Sequence, residues 1–166
     1  MAEETTMADA QTGSGRLPPR WIIRSAWVGH RAIHRVTGGR RGLAPPAEDG
    51  HFGYLRLRTI GRRTGRERLA ILGYIEDGPN LVTLAMNGWA APEPAWWLNL
   101  LDRPDAVVDL KDGPRLVHAR VAEGDERDRL WDELARGSGY GSLDGFAARR
   151  PNGTAVVVLE QRDATS

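Results

Sequence analysis

The stretch from Tyr54 to Ile75 reads YLRLRTIGRRTGRERLAILGYI, and it sets the architecture. In Tyr54-Leu55-Arg56-Leu57-Arg58-Thr59 apolar and polar residues alternate, the period of a strand with one buried face. Leu69-Ala70-Ile71-Leu72-Gly73-Tyr74-Ile75 is a second run. Between them Gly61-Arg62-Arg63-Thr64-Gly65-Arg66 carries two glycines and reads as a hairpin turn. Working outward, Asp77-Gly78-Pro79-Asn80 marks the next turn, and Leu81 to Ala85 a third strand. Ala106 to Leu110 and Leu116 to Val121 form another hairpin, turning at Asp112-Gly113. Thr154 to Leu159 is a final, fully buried strand. Short helices are expected at 95–101 and 125–136, with Leu130, Trp131 and Leu134 facing inward in the second, and another around 143–150. About six strands, mostly in adjacent hairpins, predict a largely antiparallel sheet. So many strands in so short a chain suit a small closed or partly closed barrel, an α+β protein that is mainly β.

Upstream, residues 1–18 are polar and small and are expected to form a disordered tail before a single domain over 19–161. Residues 20–37 predict a basic amphipathic helix with two tryptophans, ended by Gly38-Gly39. Arg20, Arg24, Arg31 and Arg35 have no balancing acid there. Such a helix packs on a barrel or lies on an anionic membrane, and the two roles are compatible.

The 166 residues suffice for one domain with a real core. The net charge of +1 favours neither nucleic acid nor an acidic partner, so electrostatic arguments must rest on local clusters. The absence of cysteine removes disulfides, thiolate metal sites and a cysteine nucleophile, and it suits a reducing cytoplasm. No run approaches the ~20 apolar residues of a membrane span, and the acidic Met-Ala-Glu-Glu opening is unlike a signal peptide. Arginine supplies nearly all the basic charge; Lys111 is the single lysine.

Three segments could carry chemistry. In the 61–66 turn, glycines let a ligand approach the backbone. Arg62, Arg63, Arg66 and the following Arg68 offer forked donors, and Thr64 adds a hydroxyl, which together suit a phosphate or carboxylate. The Gly-x-x-x-x-Gly-Lys spacing of a P-loop is absent. The competing reading is a solvated hairpin tip, arginine-rich because the whole chain is. Ala85-Met86-Asn87-Gly88 places small residues where a strand ends, so a flat ring could lie along the backbone; the alternative is an ordinary strand end. In Pro94-Ala95-Trp96-Trp97, adjacent tryptophans point about 100° apart, so one is expected in the core and the other along a cavity, unless both are core. Tyr140, in a glycine-rich loop, reads as a lid residue donating a hydrogen bond or proton, or as a surface anchor. His30 and His34 have metal-pair spacing but no third ligand nearby. His51 and His118 stand alone, and no serine-nucleophile signature is present.

In order along residues 19–160, these segments resemble the deazaflavin (coenzyme F420)-dependent nitroreductase and quinone reductase family. The resemblance rests on Pro19-Arg20-Trp21, Thr59 to Arg66, Ala85-Met86-Asn87-Gly88, Pro94 to Leu100 followed by Pro104, and the terminal Val156-Val157-Val158-Leu159. It implies a split β-barrel flanked by helices, and an 8-hydroxy-5-deazaflavin that gives a hydride from ring carbon C5 to a quinone, nitroaromatic or similar small acceptor. It further implies a phosphate held by Arg62, Arg63, Thr64 and Arg66 with Arg68 beyond, a ring received by Ala85, Met86, Asn87 and Gly88, and Trp96 at the border. Positioning C5 against the acceptor is then the protein's main task. Tyr140 is the candidate proton donor, with water as competitor. Glu93 replaces the family's histidine, Trp97 its tyrosine, and Arg63 takes the basic turn position.

An FMN-dependent oxidoreductase on the same barrel and a non-enzymatic coenzyme- or membrane-binding protein are the rival readings. Homodimers are common among such barrels. Nucleic-acid binding fits least, since the arginines are spread along the chain.

Overall fold

The computed structural model describes residues 42–139 and 142–163. The segments expected to form a tail (1–18) and a helix (20–37), and Tyr140, lie outside the described residues.

Six strands appear: β1 (Gly53–Ile60), β2 (Glu67–Asp77), β3 (Asn80–Leu84), β4 (Asp105–Leu110), β5 (Gly113–Val121) and β6 (Val156–Gln161). They close into an antiparallel barrel in the order β1-β2-β3-β6-β5-β4. In β1 every second residue is buried from Gly53 to Thr59, as the alternation requires. The register Leu57↔Ala70 and Ile60↔Glu67 makes 61–66 the loop of the first hairpin. Gly65 closes that loop with φ 65°, a conformation favouring glycine.

Closure produces two cores. The first fills the barrel with Leu55, Leu57, Tyr74, Leu81, Val108, Val117 and Leu159, plugged by Trp96, Trp97 and Leu100 of α1 (Ala95–Asp102). Pro94 starts α1 because its fixed φ suits a helix N-terminus, and its carbonyl accepts from Trp97 N at 3.0 Å. The second core lies outside the barrel, where Leu130, Trp131 and Leu134 of α2 (Gly124–Ser138) pack on Ile75, Val82, Val156 and Val158. The strand β6 is therefore buried on both faces from Val156 to Leu159, which explains its unbroken apolar run. Asp125 and Glu126 favour the α2 N-terminus through the helix dipole, and Gly139 caps its end in the left-handed conformation. A single helical turn, α3 (Asp144–Ala147), follows, and Asp144 accepts the Trp131 indole N–H at 2.9 Å.

Among the described residues the expected element boundaries agree to within a few residues, except that α3 is shorter than the expected 143–150. Pro151 and Gly153 follow it closely.

Alternating strand direction dictates what meets at each end of the barrel. The ends of β1, β3 and β5 and the starts of β2, β4 and β6 share one rim. That rim carries the arginine turn, the segment after β3, α1 and the chain entering β6. The opposite rim carries the turns at 78–79 and 111–112.

Candidate coenzyme site

The arginine turn is held by backbone contacts and by α1. Gly61 N donates to Arg66 O at 2.8 Å and Gly65 N to Gly61 O at 2.8 Å. Arg62 N donates to Asn99 Oδ1 at 3.1 Å, and Asn99 Nδ2 donates to Thr59 Oγ1 at 3.1 Å. Asn99 and Thr59 are both buried. A buried amide therefore fixes the turn against a helix that starts only at Ala95, well beyond Gly61 in sequence.

The turn's side chains stand in a different condition. Arg62, Arg63, Arg66 and Arg68 are exposed. Arg68 Nη2 donates to Thr64 Oγ1 at 3.3 Å, and Thr64 Oγ1 also accepts from Arg66 N at 3.4 Å. None of the four arginines meets a carboxylate among the described residues. Four guanidinium groups with no carboxylate beside them among the described residues, on a backbone-anchored loop, are donors of a kind that suits an anion.

Beyond β3 the chain turns outward. Ala85 is fully buried; its N donates to Ala155 O at 2.9 Å. Met86 is half-buried against the second core. Asn87 and Gly88 are exposed, and neither backbone N–H has an acceptor among the described residues. Gly88 has φ 56° and Trp89 has φ 61°. A tryptophan in that region is strained by about 1–2 kcal/mol. It is held there by stacking on Phe146, with ring centroids 5.6 Å apart. Arg149 lies over the same Phe146 ring at 5.5 Å.

Trp96 and Trp97 do not divide between core and cavity. Both are buried in the barrel core, edge to face at 6.3 Å, with Trp96 the more accessible at 9%. Despite the mean 100° step between them, both join the first core, while Leu101 of the same helix stays exposed.

Two residues of the rim escaped the sequence reading. Arg150 is buried and contacts Ala85, Thr154 and Glu93. It is one arginine among many, so composition gives it no signal. Asn99 was visible within its motif, but no local pattern shows that it reaches the turn.

Both described histidines stand beside an aspartate. His51 pairs with Asp49 at 2.8 Å and His118 with Asp105 at 2.7 Å. The His118 hydrogen bond, reinforced by Arg162, holds the Asp105 carboxyl below its ordinary range. Among the described residues no group of three or more histidine, aspartate or glutamate side chains could hold a metal. The His30–His34 pair lies outside them. A pocket of about 410 Å³ opens at the opposite rim, lined by Pro45, Tyr74, Glu76, Leu110, Lys111 and Arg115 among others. It touches none of the candidate site residues. Burial pushes the Tyr74 hydroxyl up to about 12. No helix among the described residues is long and apolar enough to cross a membrane.

The fold and rim define a small antiparallel split-barrel protein with an exposed, arginine-rich turn at one end. Its sequence matches the profile of the F420H(2)-dependent quinone reductases over residues 30–161, and the chain belongs to that family. Rv3178 of Mycobacterium tuberculosis, whose name proposes F420H(2)-dependent quinone reductase activity, is 32% identical over 108 residues, covering 65% of this chain and 89% of that protein. Two solved structures share the fold. An F420-H2 dependent reductase (FDR-A) aligns with TM-score 0.57 and 22% identity over 64% of this chain and 93% of its own. A domain-swapped dimer aligns with TM-score 0.61 and 21% identity over 82% of this chain and 99% of its own.

Proposed function

We propose that this protein binds coenzyme F420 at the arginine-turn rim and uses its reduced form to reduce a quinone, nitroaromatic or similar small acceptor. The observation that carries the reading is the group of four arginines without carboxylate partners among the described residues, on a turn pinned by Asn99. The donor set fits the coenzyme: forked cations for a phosphate, and beyond β3 two free backbone N–H groups for the polar edge of a flat ring. In this reading Arg62, Arg63 and Arg66 bind the phosphate, and Thr64 orients Arg68 beside them. Asn87 and Gly88 receive the ring edge, Met86 supports it from below, and Ala85 anchors the segment. Trp96 borders the site as the rigid floor from which α1 projects, not as an open wall.

When bound, the reduced deazaflavin supplies a hydride from C5. The chain's own work is to hold that carbon against the acceptor and to exclude alternative orientations. Reduction of a quinone also consumes a proton, assigned here to Tyr140, with water as the competing source. The basic segment at 20–37, read as an amphipathic helix, would bring the protein to an anionic membrane surface, where quinones partition. A homodimer is compatible with this assignment but is not required by it.

The test is titration of purified protein with oxidised F420 and, in parallel, FMN, followed by fluorescence. Micromolar saturation by the deazaflavin alone, lost in Arg63→Ala, supports the reading. Saturation by FMN alone moves the protein to a flavin-dependent reaction, and binding of neither favours a non-enzymatic role.

A further inference from the structure

Arg150 is the one fully buried guanidinium among the ion-paired arginines of the described residues, and the reading above gives it no task. Its Nη1 donates to the Ala85 carbonyl and to Thr154 Oγ1 at 3.1 Å. Its Nη2 lies 3.0 Å from Glu93 Oε1, yet neither Nη2 nor Nε has an aligned hydrogen-bond acceptor. One cation thus joins three pieces of the rim: the end of β3, the loop before α1 and the turn before β6.

Such a group is a poor choice for stability alone. Buried donors without acceptors are costly, and well-packed apolar side chains commonly hold a core as well as a buried ion pair does. An apolar side chain cannot, however, fix the direction of a carbonyl. Ala85 has its N–H on Ala155 and its carbonyl on Arg150, so both ends of that residue are clamped. Met86, Asn87 and Gly88 leave the barrel from this clamped point.

We propose that Arg150, held by Glu93, is the positioning residue of the strand-end segment: it sets the direction in which Asn87 and Gly88 present their N–H groups. It acts through Ala85 and touches no coenzyme atom. The inference rests on the assignment of residues 85–88 to the deazaflavin ring. It also gives a task to Glu93, the acid beside the buried cation.

The experiment measures binding of two ligands, oxidised F420 and its phosphate-free deazaflavin fragment, to the full chain and to Arg150→Lys, Glu93→Gln and Arg63→Ala. Far-UV circular dichroism and the visible spectrum of the bound ring are recorded alongside. Folded Arg150→Lys and Glu93→Gln should each weaken both ligands by the same factor, tenfold or more for Arg150→Lys, and shift the bound-ring spectrum. Arg63→Ala should weaken the coenzyme and leave the fragment unchanged. Folded variants at positions 150 and 93 that bind the fragment like the parent, with an unchanged spectrum, overturn the inference alone. A parent protein that binds neither ligand removes the coenzyme assignment and the inference with it. If Arg150→Lys does not fold, Glu93→Gln decides, because Glu93 is partly exposed; loss of the folded spectrum in both variants would make the pair merely structural and overturn the positioning role.

Discussion

Two groups of arginines in this protein have the same chemistry and opposite surroundings. Arg56 and Arg58 of β1 converge on Asp109 of β4 at 2.8 and 2.9 Å. Arg120 joins Glu126 of α2 and Glu160 of β6. Arg129 of α2 reaches Asp77 at the end of β2 at 3.0 Å. Each of these ties two or more elements together. Among the described residues Arg62, Arg63, Arg66 and Arg68 meet no carboxylate and join no second element, though a buried asparagine holds their loop. An arginine-rich composition would predict solvated tips everywhere. Pairing separates the two cases: cations with acid partners are cross-links, and cations left without them on a pinned loop are available to an anionic ligand.

The sharpest way to break this contrast is the double variant Arg63→Ala/Arg66→Ala. Each charge-assisted contact is worth about 1.5–3 kcal/mol. Coenzyme affinity should therefore fall on the order of 100-fold or more, with the melting temperature unchanged. An equal loss of stability, read by thermal denaturation, would mean that the turn arginines are cross-links after all. Raising the salt concentration should weaken coenzyme binding to the parent far more than to this variant.

Asn99→Ala tests the pin. It leaves the Arg62 N–H and the buried Thr59 hydroxyl without their partner, so urea unfolding should show a loss of about 1–3 kcal/mol. Coenzyme binding should weaken several-fold although no charge is removed. Unchanged affinity in this variant would show that the turn keeps its shape without α1.

A smaller effect is expected from Arg120→Ala. The Arg120 network is about one-third exposed, so its removal should cost about 1 kcal/mol or less. Coenzyme affinity should not change, and a titration that shows otherwise would erase the distinction between the two groups.

The smallest effect is the acid response of the cross-links. Arg129 holds the Asp77 carboxyl below its ordinary range, and Arg120 does the same for Glu126. Their folded values lie below their unfolded ones. Their contribution is therefore complete above the ordinary carboxylate range and is lost as the pH falls through the lowered folded values. Melting temperature followed from pH 6 to pH 2 should decline, and the decline should be shallower in Arg120→Ala/Arg129→Ala. The double turn variant should retain the parent's slope.

Much of this molecule is legible in local sequence. Alternation in β1, the glycine-bracketed turn, Pro94 before α1 and the apolar stripe of α2 each follow from neighbouring residues. Periodicity and turn chemistry act over a few positions, so a linear reading recovers them. The family is also read from ordered local motifs, and the arginine turn is found for the same reason. Trp96 shows the limit: a helical step separates two adjacent tryptophans by about 100°, but only barrel closure buries both.

By itself, then, the chain determined its strands, its hairpins, its helix ends and the chemical character of its basic turn. Tertiary structure decided which cations remain unpaired, since Asp109 meets Arg56 and Arg58 only when β1 and β4 close the barrel. It decided that Asn99 reaches Arg62, and that Arg150 reaches Ala85 across 65 positions of chain. These contacts join segments whose local patterns are independent of one another. Their meeting depends on strand order and register, which are properties of the closed barrel as a whole.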